Sequence, residues 1–180
     1  MGEFSYELKI PKERVAVLIG KDGEIKTAIE AETKAEIRVD SKEGDVFVSG
    51  DDALGLYAAR EVIIAIGRGF NPEIAMLLLK QDYVFEVINL VAYNKSKDAQ
   101  LRLKGRVIGK EGRSRKLIEE LTEAYVSVYG KTISIVGMAE PVYAAKHAIE
   151  MLLSGSPHST VYKWLEKRRR DIKRRDMMEL

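Results

Sequence analysis

Two short loops carry the residues with chemical potential, Gly20-Lys21-Asp22-Gly23 and Gly109-Lys110-Glu111-Gly112. Each sets a lysine and an acid between two glycines and follows an apolar run, Val17-Leu18-Ile19 in one and Val107-Ile108 in the other. A catalytic loop would hold a nucleophile, a base or a metal ligand, and none is evident. What these loops offer is main-chain N–H groups and positive charge. Glycine lets the backbone approach a ligand and take turn geometry closed to other residues. A helix starting after the second glycine would add its unpaired N–H groups and the positive end of its dipole. That combination suits a phosphate. The second loop is the better supplied, with Arg106 before it and Arg113 and Arg115 after it, where the first is followed by Glu24 and Ile25.

Other chemistry finds little support. Gly105-Arg106-Val107-Ile108-Gly109-Lys110-Glu111 is one residue short of a nucleotide-binding G-x-x-x-x-G-K-[ST] loop, and Glu111 stands where a magnesium-binding hydroxyl is needed. The two histidines, His147 and His158, lack metal-ligand spacing, and there is no cysteine to help them. The acid pair Asp51-Asp52 opens a helix, where it serves as a cap. The expectation is a protein that is not an enzyme and has no metal or cofactor.

A single G-x-x-G would be weak, since close glycine pairs arise by chance. Here the likeness extends well past the loops. Aligning Gly20 with Gly109 brings Ile29-Glu30 onto Ile118-Glu119, Thr33 onto Thr122, Ala35 onto Ala124 and Val39 onto Val128. With short gaps, Ser49-Gly50 meets Val136-Gly137 and Tyr57-Ala58-Ala59-Arg60 meets Tyr143-Ala144-Ala145-Lys146. A repeat of this length marks a duplicated structural unit.

The elements that must position the loops follow from periodicity. Phe4 to Ile10 alternates as a half-buried strand. Pro11 can open a helix, with Val15, Leu18 and Ile19 at helical spacing. After the loop, Ile25, Ala28 and Ile29 share a helix face. Ala35, Ile37 and Val39 form a strand, Lys42 to Asp45 a turn, Val46 to Val48 the partner strand, and Ala53 to Ile66 a helix. The order is strand, helix, loop, helix, strand, strand, helix. The second copy repeats it, from a strand at Tyr83–Val91 to a closing helix at Pro141–Leu153. Asn71 and Pro72 start an extra helix, 73–80, whose apolar residues run nearly all round it and predict burial between the copies. The expected organisation is residues 4–80, residues 81–155 and a basic helical tail, 156–180.

Composition is that of a globular α+β protein, 46% hydrophobic and 32% charged. No apolar run reaches a membrane span and no signal peptide opens the chain, so no membrane role is expected. Absent cysteine fits a cytoplasmic setting. Few Asn and Gln beside abundant Lys, Arg and Glu is the bias of thermophiles. The net charge is only +2, but Lys163 to Arg175 carries eight basic residues against two acids, a local +6 that leaves −4 for the remainder. Nucleic-acid binding would work through such patches and not through the overall field.

This order, with Leu-Ile-Gly-Lys-Asp-Gly and Val-Ile-Gly-Lys-Glu-Gly between the first two helices of each copy, resembles the KH module in its type I topology (βααββα), a three-stranded antiparallel sheet packed by three helices. The junction Ala65-Ile66-Gly67-Arg68-Gly69-Phe70, the run Arg102 to Arg106 and the stretch Ser154 to Tyr162 further resemble the archaeal two-KH proteins related to partner-of-Nob-one. The resemblance implies assistance in maturing small-subunit rRNA, and binding of single-stranded RNA, the rRNA 3′ region in particular. It implies a maturation nuclease or dimethylase as partner, and a translation-initiation factor as a further one. KH domains clamp about four nucleotides between the glycine loop and a variable turn. The loop amides of Gly20 to Gly23 and Gly109 to Gly112 would then hold phosphates, Lys21 and Lys110 would add charge, and Asp22 and Glu111 would face solvent. Arg106, Arg113 and Arg115 would reinforce the second copy. Ile19, Ile25 and Ile37, and Ile108, Leu117 and Val126, would line the grooves or lie just beneath them. Main-chain groups near Ile37-Arg38 and Val126-Ser127 would meet base edges. Eukaryotic relatives have a degenerate first loop, which this chain does not share. The rival reading is a scaffold on which RNA contact is secondary to capture of maturation or initiation factors.

Overall fold

The structure is a computed structural model, in which residues 2–180 are described. Two compact units divide the chain between Phe85 and Glu86. The first runs β1 (Phe4–Lys9), α1 (Lys12–Ile19), α2 (Glu24–Thr33), β2 (Glu36–Asp40), β3 (Asp45–Gly50), α3 (Ala53–Gly67) and a short α4 (Pro72–Ala75). The second runs β4 (Tyr83–Asn89), which begins just before the division, then α5 (Lys97–Ile108), α6 (Arg113–Thr122), β5 (Tyr125–Tyr129), β6 (Thr132–Met138), α7 (Ala139–Leu153) and α8 (His158–Met178). Each unit has a three-stranded sheet, ordered β1–β3–β2 and β4–β6–β5, so that β2 and β5 are edge strands. The pairing is antiparallel, from Phe4 opposite Gly50 and Glu36 opposite Ser49 in the first sheet, and from Tyr125 opposite Val136 in the second. This is the α+β arrangement expected from the periodicities.

Alternation decides which sheet face meets the helices. Ile37, Val46 and Val48 are buried while Arg38 and Phe47 between them are exposed, with the Arg38 guanidinium 6.0 Å from the Phe47 ring centre. The helices contribute Leu18, Ile29, Leu56 and Ile63 to the first core, and Val107, Ile118, Ile149 and Leu152 to the second. Caps fix the helix starts. Asp52 accepts from the Leu54 amide at 3.2 Å before α3, and Ser96 from the Ala99 amide at 3.4 Å before α5. The repeat is visible in the backbone too. Thr33 and Thr122 each donate to the carbonyl four residues back at 2.7 Å, and Lys34 and Glu123 end their helices in the left-handed conformation.

The duplication extends one element further than the sequence alignment. α4 begins five residues after α3, and α8 five after α7; α8 packs on α7 and α6, and α4 packs on α3, with the turn that follows it, Met76–Leu79, reaching both α3 and α2. The predicted helix 73–80 is shorter than expected. It passes after Ala75 into a 3₁₀ turn, Met76–Leu79, and Lys80 is extended. Ala75 and Leu78 are its buried residues, and their three-residue spacing suits the tighter turn. The basic segment is no free tail: Val161 and Leu165 are fully buried in the second core, while Lys163, Lys167 and Arg170 on the far side are exposed.

Leu165→Ala should therefore lower the unfolding free energy by about 2–5 kcal/mol. Removal of residues 173–180, which forfeits the exposed Arg175–Glu140 pair (3.5 Å), should cost under about 1 kcal/mol. Urea unfolding followed by circular dichroism distinguishes the two.

Candidate nucleic-acid interface

The two glycine loops have the same backbone. Gly20 and Gly109 lie at φ 75° and 73°, Asp22 and Glu111 at φ 54° and 57°, and Gly23 and Gly112 at φ 76° and 74°. Three of four residues thus hold a positive φ, the left-handed region that disfavours side chains. The first glycine is needed twice over. A Cβ on Gly20 would stand 2.5 Å from the Ile25 side chain, and one on Gly109 2.6 Å from Cβ of Ser114. The second glycine has open space and is needed for conformation alone.

This geometry decides which amides face outward. The Gly20 amide donates to the Ala16 carbonyl, and the Gly23 amide to the Gly20 carbonyl at 3.3 Å. Likewise Gly109 donates to Gly105 at 2.8 Å and Gly112 to Gly109 at 3.2 Å. The middle amides, Lys21 and Asp22 or Lys110 and Glu111, have no protein acceptor among the described residues. The expectation that all four amides serve a ligand is thus narrowed to two per loop. All four of these side chains are exposed, so Lys21 and Lys110 have their charge beside the outward amides, and Asp22 and Glu111 face solvent as anticipated.

The arginines around the second loop divide. Arg113 is exposed and enters no ion pair among the described residues. Arg106 is committed in part to the protein's own main chain. Its Nε donates to the Leu152 carbonyl at 2.9 Å and its terminal nitrogen to the Ser156 carbonyl at 2.5 Å, tying α5 to the end of α7. Arg14 does the same in the first unit, to Ile66 and Phe70, both at 2.8 Å. Arg115 is also engaged. It pairs with Glu119 at 2.5 Å and reaches the Val126 carbonyl at 3.4 Å.

The edge strands show a second shared device, which the sequence reading missed. Glu119 accepts from the Val126 amide at 3.2 Å, and Glu30, paired with Lys26, accepts from the Ile37 amide at 3.3 Å. The main-chain groups expected to meet base edges are thus covered by side chains from the preceding helix. Ile37 and Val126 are 1% and 3% exposed and lie beneath the surface, while Ile19, Ile25, Ile108 and Leu117 are half-buried. Arg38 is exposed and Ser127 is half-buried in register with Ser134. Among the described residues no group of three His, Asp or Glu is placed to hold a metal. The Tyr57 hydroxyl is held above its ordinary pKa by the Glu61 carboxylate, and Tyr93 by burial; Tyr57 is on α3 and Tyr93 precedes α5.

Residues 84–170 match the family model of a eukaryotic-type KH domain (KH-domain type I), that of the second domain of PNO1, and residues 5–65 match the KH domain model. The chain is 53% identical over 171 residues to a KH domain-containing protein of Methanocaldococcus jannaschii, covering 93% of this chain and 75% of that one. It is 30% identical over 164 residues to the RNA-binding protein pno1 of Dictyostelium discoideum, covering 87% and 68%. Among solved structures it is similar to a chain of an a/eIF2alpha–aDim2p–rRNA complex from Pyrococcus horikoshii, with 46% identity and a TM-score of 0.86 over 93% of this chain and 95% of that one.

Two stability predictions follow from the loop geometry. Gly112→Ala should cost about 1–2 kcal/mol, for conformation alone, and Gly109→Ala at least about 3 kcal/mol, because the collision with Ser114 is added. Arg106→Ala, which takes the donor from the Ser156 carbonyl while Leu152 keeps the Gly155 amide, should cost about 1–3 kcal/mol. Chemical denaturation of the three variants tests the ranking.

Proposed function

We propose that this chain, which belongs to the PNO1/Dim2-like family of two-KH-domain proteins, holds single-stranded rRNA from the 3′ region of the small subunit on its glycine loops and assists ribosome biogenesis. The observation that carries this reading is the pair of outward amides in each loop, flanked by an exposed lysine and held by a backbone that only the G-x-x-G spacing allows. A phosphate offered two parallel N–H donors and an adjacent cation is bound without base selectivity, so the loop positions the strand. Sequence preference then falls to the strand edge. A base seeking the Ile37 or Val126 amide must displace Glu30 or Glu119, and the displaced carboxylate remains as an acceptor beside it.

The two units differ in charge, which makes the second the stronger binder. Arg113 follows the second loop where Glu24 follows the first, and each phosphate neutralised adds to affinity and steepens its salt dependence. The family and the rRNA in the related complex support an rRNA ligand, and initiation factors or a maturation nuclease or dimethylase as protein partners. With no catalytic constellation behind the loops, the reading assigns the chain no chemistry of its own.

Acids placed at Lys110 together with Glu111→Asp should reduce affinity for the rRNA 3′ segment about tenfold or more, and Lys21→Asp with Asp22 kept should reduce it severalfold at most. Fluorescence anisotropy at several salt concentrations reads both the loss and the slope. Equal losses would refute the asymmetry. RNA binding unchanged in both variants, with capture of a maturation factor intact, would favour the scaffold reading instead.

A further inference from the structure

Beside the second glycine loop, on a side lined by α5, the start of α6 and α8 and by no residue of β5, is an open pocket of about 500 Å³. Its walls include Arg102, Arg106, Lys110, Arg113, His158 and Tyr162. Arg102, Lys110 and Arg113 are exposed and form no ion pair among the described residues, so three cations converge on one space with their charge uncompensated. The half-buried Tyr162 and the side-chain-free Gly105 and Gly109 line the same space. His158 holds Tyr162's helix in place, its Nε2 2.7 Å from the Arg106 carbonyl and its ring 6.0 Å from that of Tyr162. Ser114 lines the same pocket, and its buried hydroxyl has no protein partner.

The first unit provides the contrast. In the alignment that sets Gly20 on Gly109, Glu13 stands for Arg102, Glu24 for Arg113 and Ile25 for Ser114. Two cations are replaced by two acids, and the hydroxyl by a hydrocarbon. At the position of Tyr162, the fifth from the start of the helix, the first unit has Met76, in the 3₁₀ turn that continues α4, and so no aromatic ring. Charge reversal at two positions, together with a helix that supplies the aromatic wall, is more than a loop needs for a single phosphate.

We propose that this pocket is an accessory nucleotide site, taking one further nucleotide of an RNA strand that runs on past the clamp, with its phosphate among Arg102, Lys110 and Arg113 and its base against Tyr162. The proposal rests on the RNA-binding reading above. Its chemistry is that of single-strand binders, in which cations follow the backbone and an aromatic face accepts any base. It also gives α8 a role in the second unit, through Tyr162, that Met76 cannot play in the first.

The test uses the full chain and the rRNA 3′ segment shortened stepwise from each end to about four nucleotides, the length a KH clamp holds. Wild-type affinity should rise about tenfold or more at the length where the strand reaches the pocket. Arg102→Glu and, separately, Tyr162→Ala should each abolish that rise while binding the tetranucleotide as the wild type does. Arg102→Gln should lower the salt slope for the long strand by about 0.7 and leave the short strand's slope unchanged. A rise that survives both substitutions overturns the proposal, as does an equal loss at every length, which would make these residues part of the clamp. Displacement of the extra nucleotide by micromolar nucleoside monophosphate would assign the pocket to a free nucleotide and overturn it too. A wild type that binds RNA but gains nothing from length sinks this inference alone, whereas one that binds no RNA at any length sinks the RNA-binding reading as well.

Discussion

A guanidinium held between two carbonyls at the end of the closing helix determines where each glycine loop stands. Arg14 meets Ile66 and Phe70, and Arg106 meets Leu152 and Ser156. Ile66 and Leu152 lie in the last turn of the closing helix and also accept from the Gly69 and Gly155 amides at 3.1 and 3.2 Å, while Phe70 and Ser156 lie three residues beyond the helix end. Satisfying them with a cation also offsets the negative end of the helix dipole. The helix that leads into the loop is thereby fixed to the helix that ends the unit. The loop's own strain, three positive φ angles in four residues, is sustained because both of its ends are anchored.

The two units reach this anchor by different routes. The carbonyls are equivalent, but Arg14 is six residues before its glycine and Arg106 only three. After duplication the same contact has been kept with its donor moved along one face of the helix. The units diverge in charge at Arg102, which stands where the first unit has Glu13. What is shared between the units is what holds the loop, and what differs is what surrounds it.

Much of this was legible in the sequence and some was not, for identifiable reasons. Glycine spacing, the period-2 strands and the capping residues are local signals, so the loops, the element order and both sheets could be read directly. The role of Arg106 could not. Sequence shows that a cation is near a loop but not where its side chain points, and a buried tie and a phosphate ligand look alike. Glu30 and Glu119 align in the repeat but resemble any charge on a solvated helix, and only the strand brought beside them reveals what they cover. The kinship of α4 and α8 was hidden because four residues and twenty-one share no pattern. What unites them is their point of departure, five residues after a closing helix.

The carboxylates on the edge strands have one more consequence. A sheet whose last strand is left open is a template on which any passing extended chain can add itself, and proteins generally blunt such edges. Neither β2 nor β5 contains a proline to seal its edge. A carboxylate resting on the Ile37 or Val126 amide blunts it instead, since it denies a foreign strand a ladder bond at that position. One glutamate on the preceding helix thus guards each sheet against edge-to-edge association.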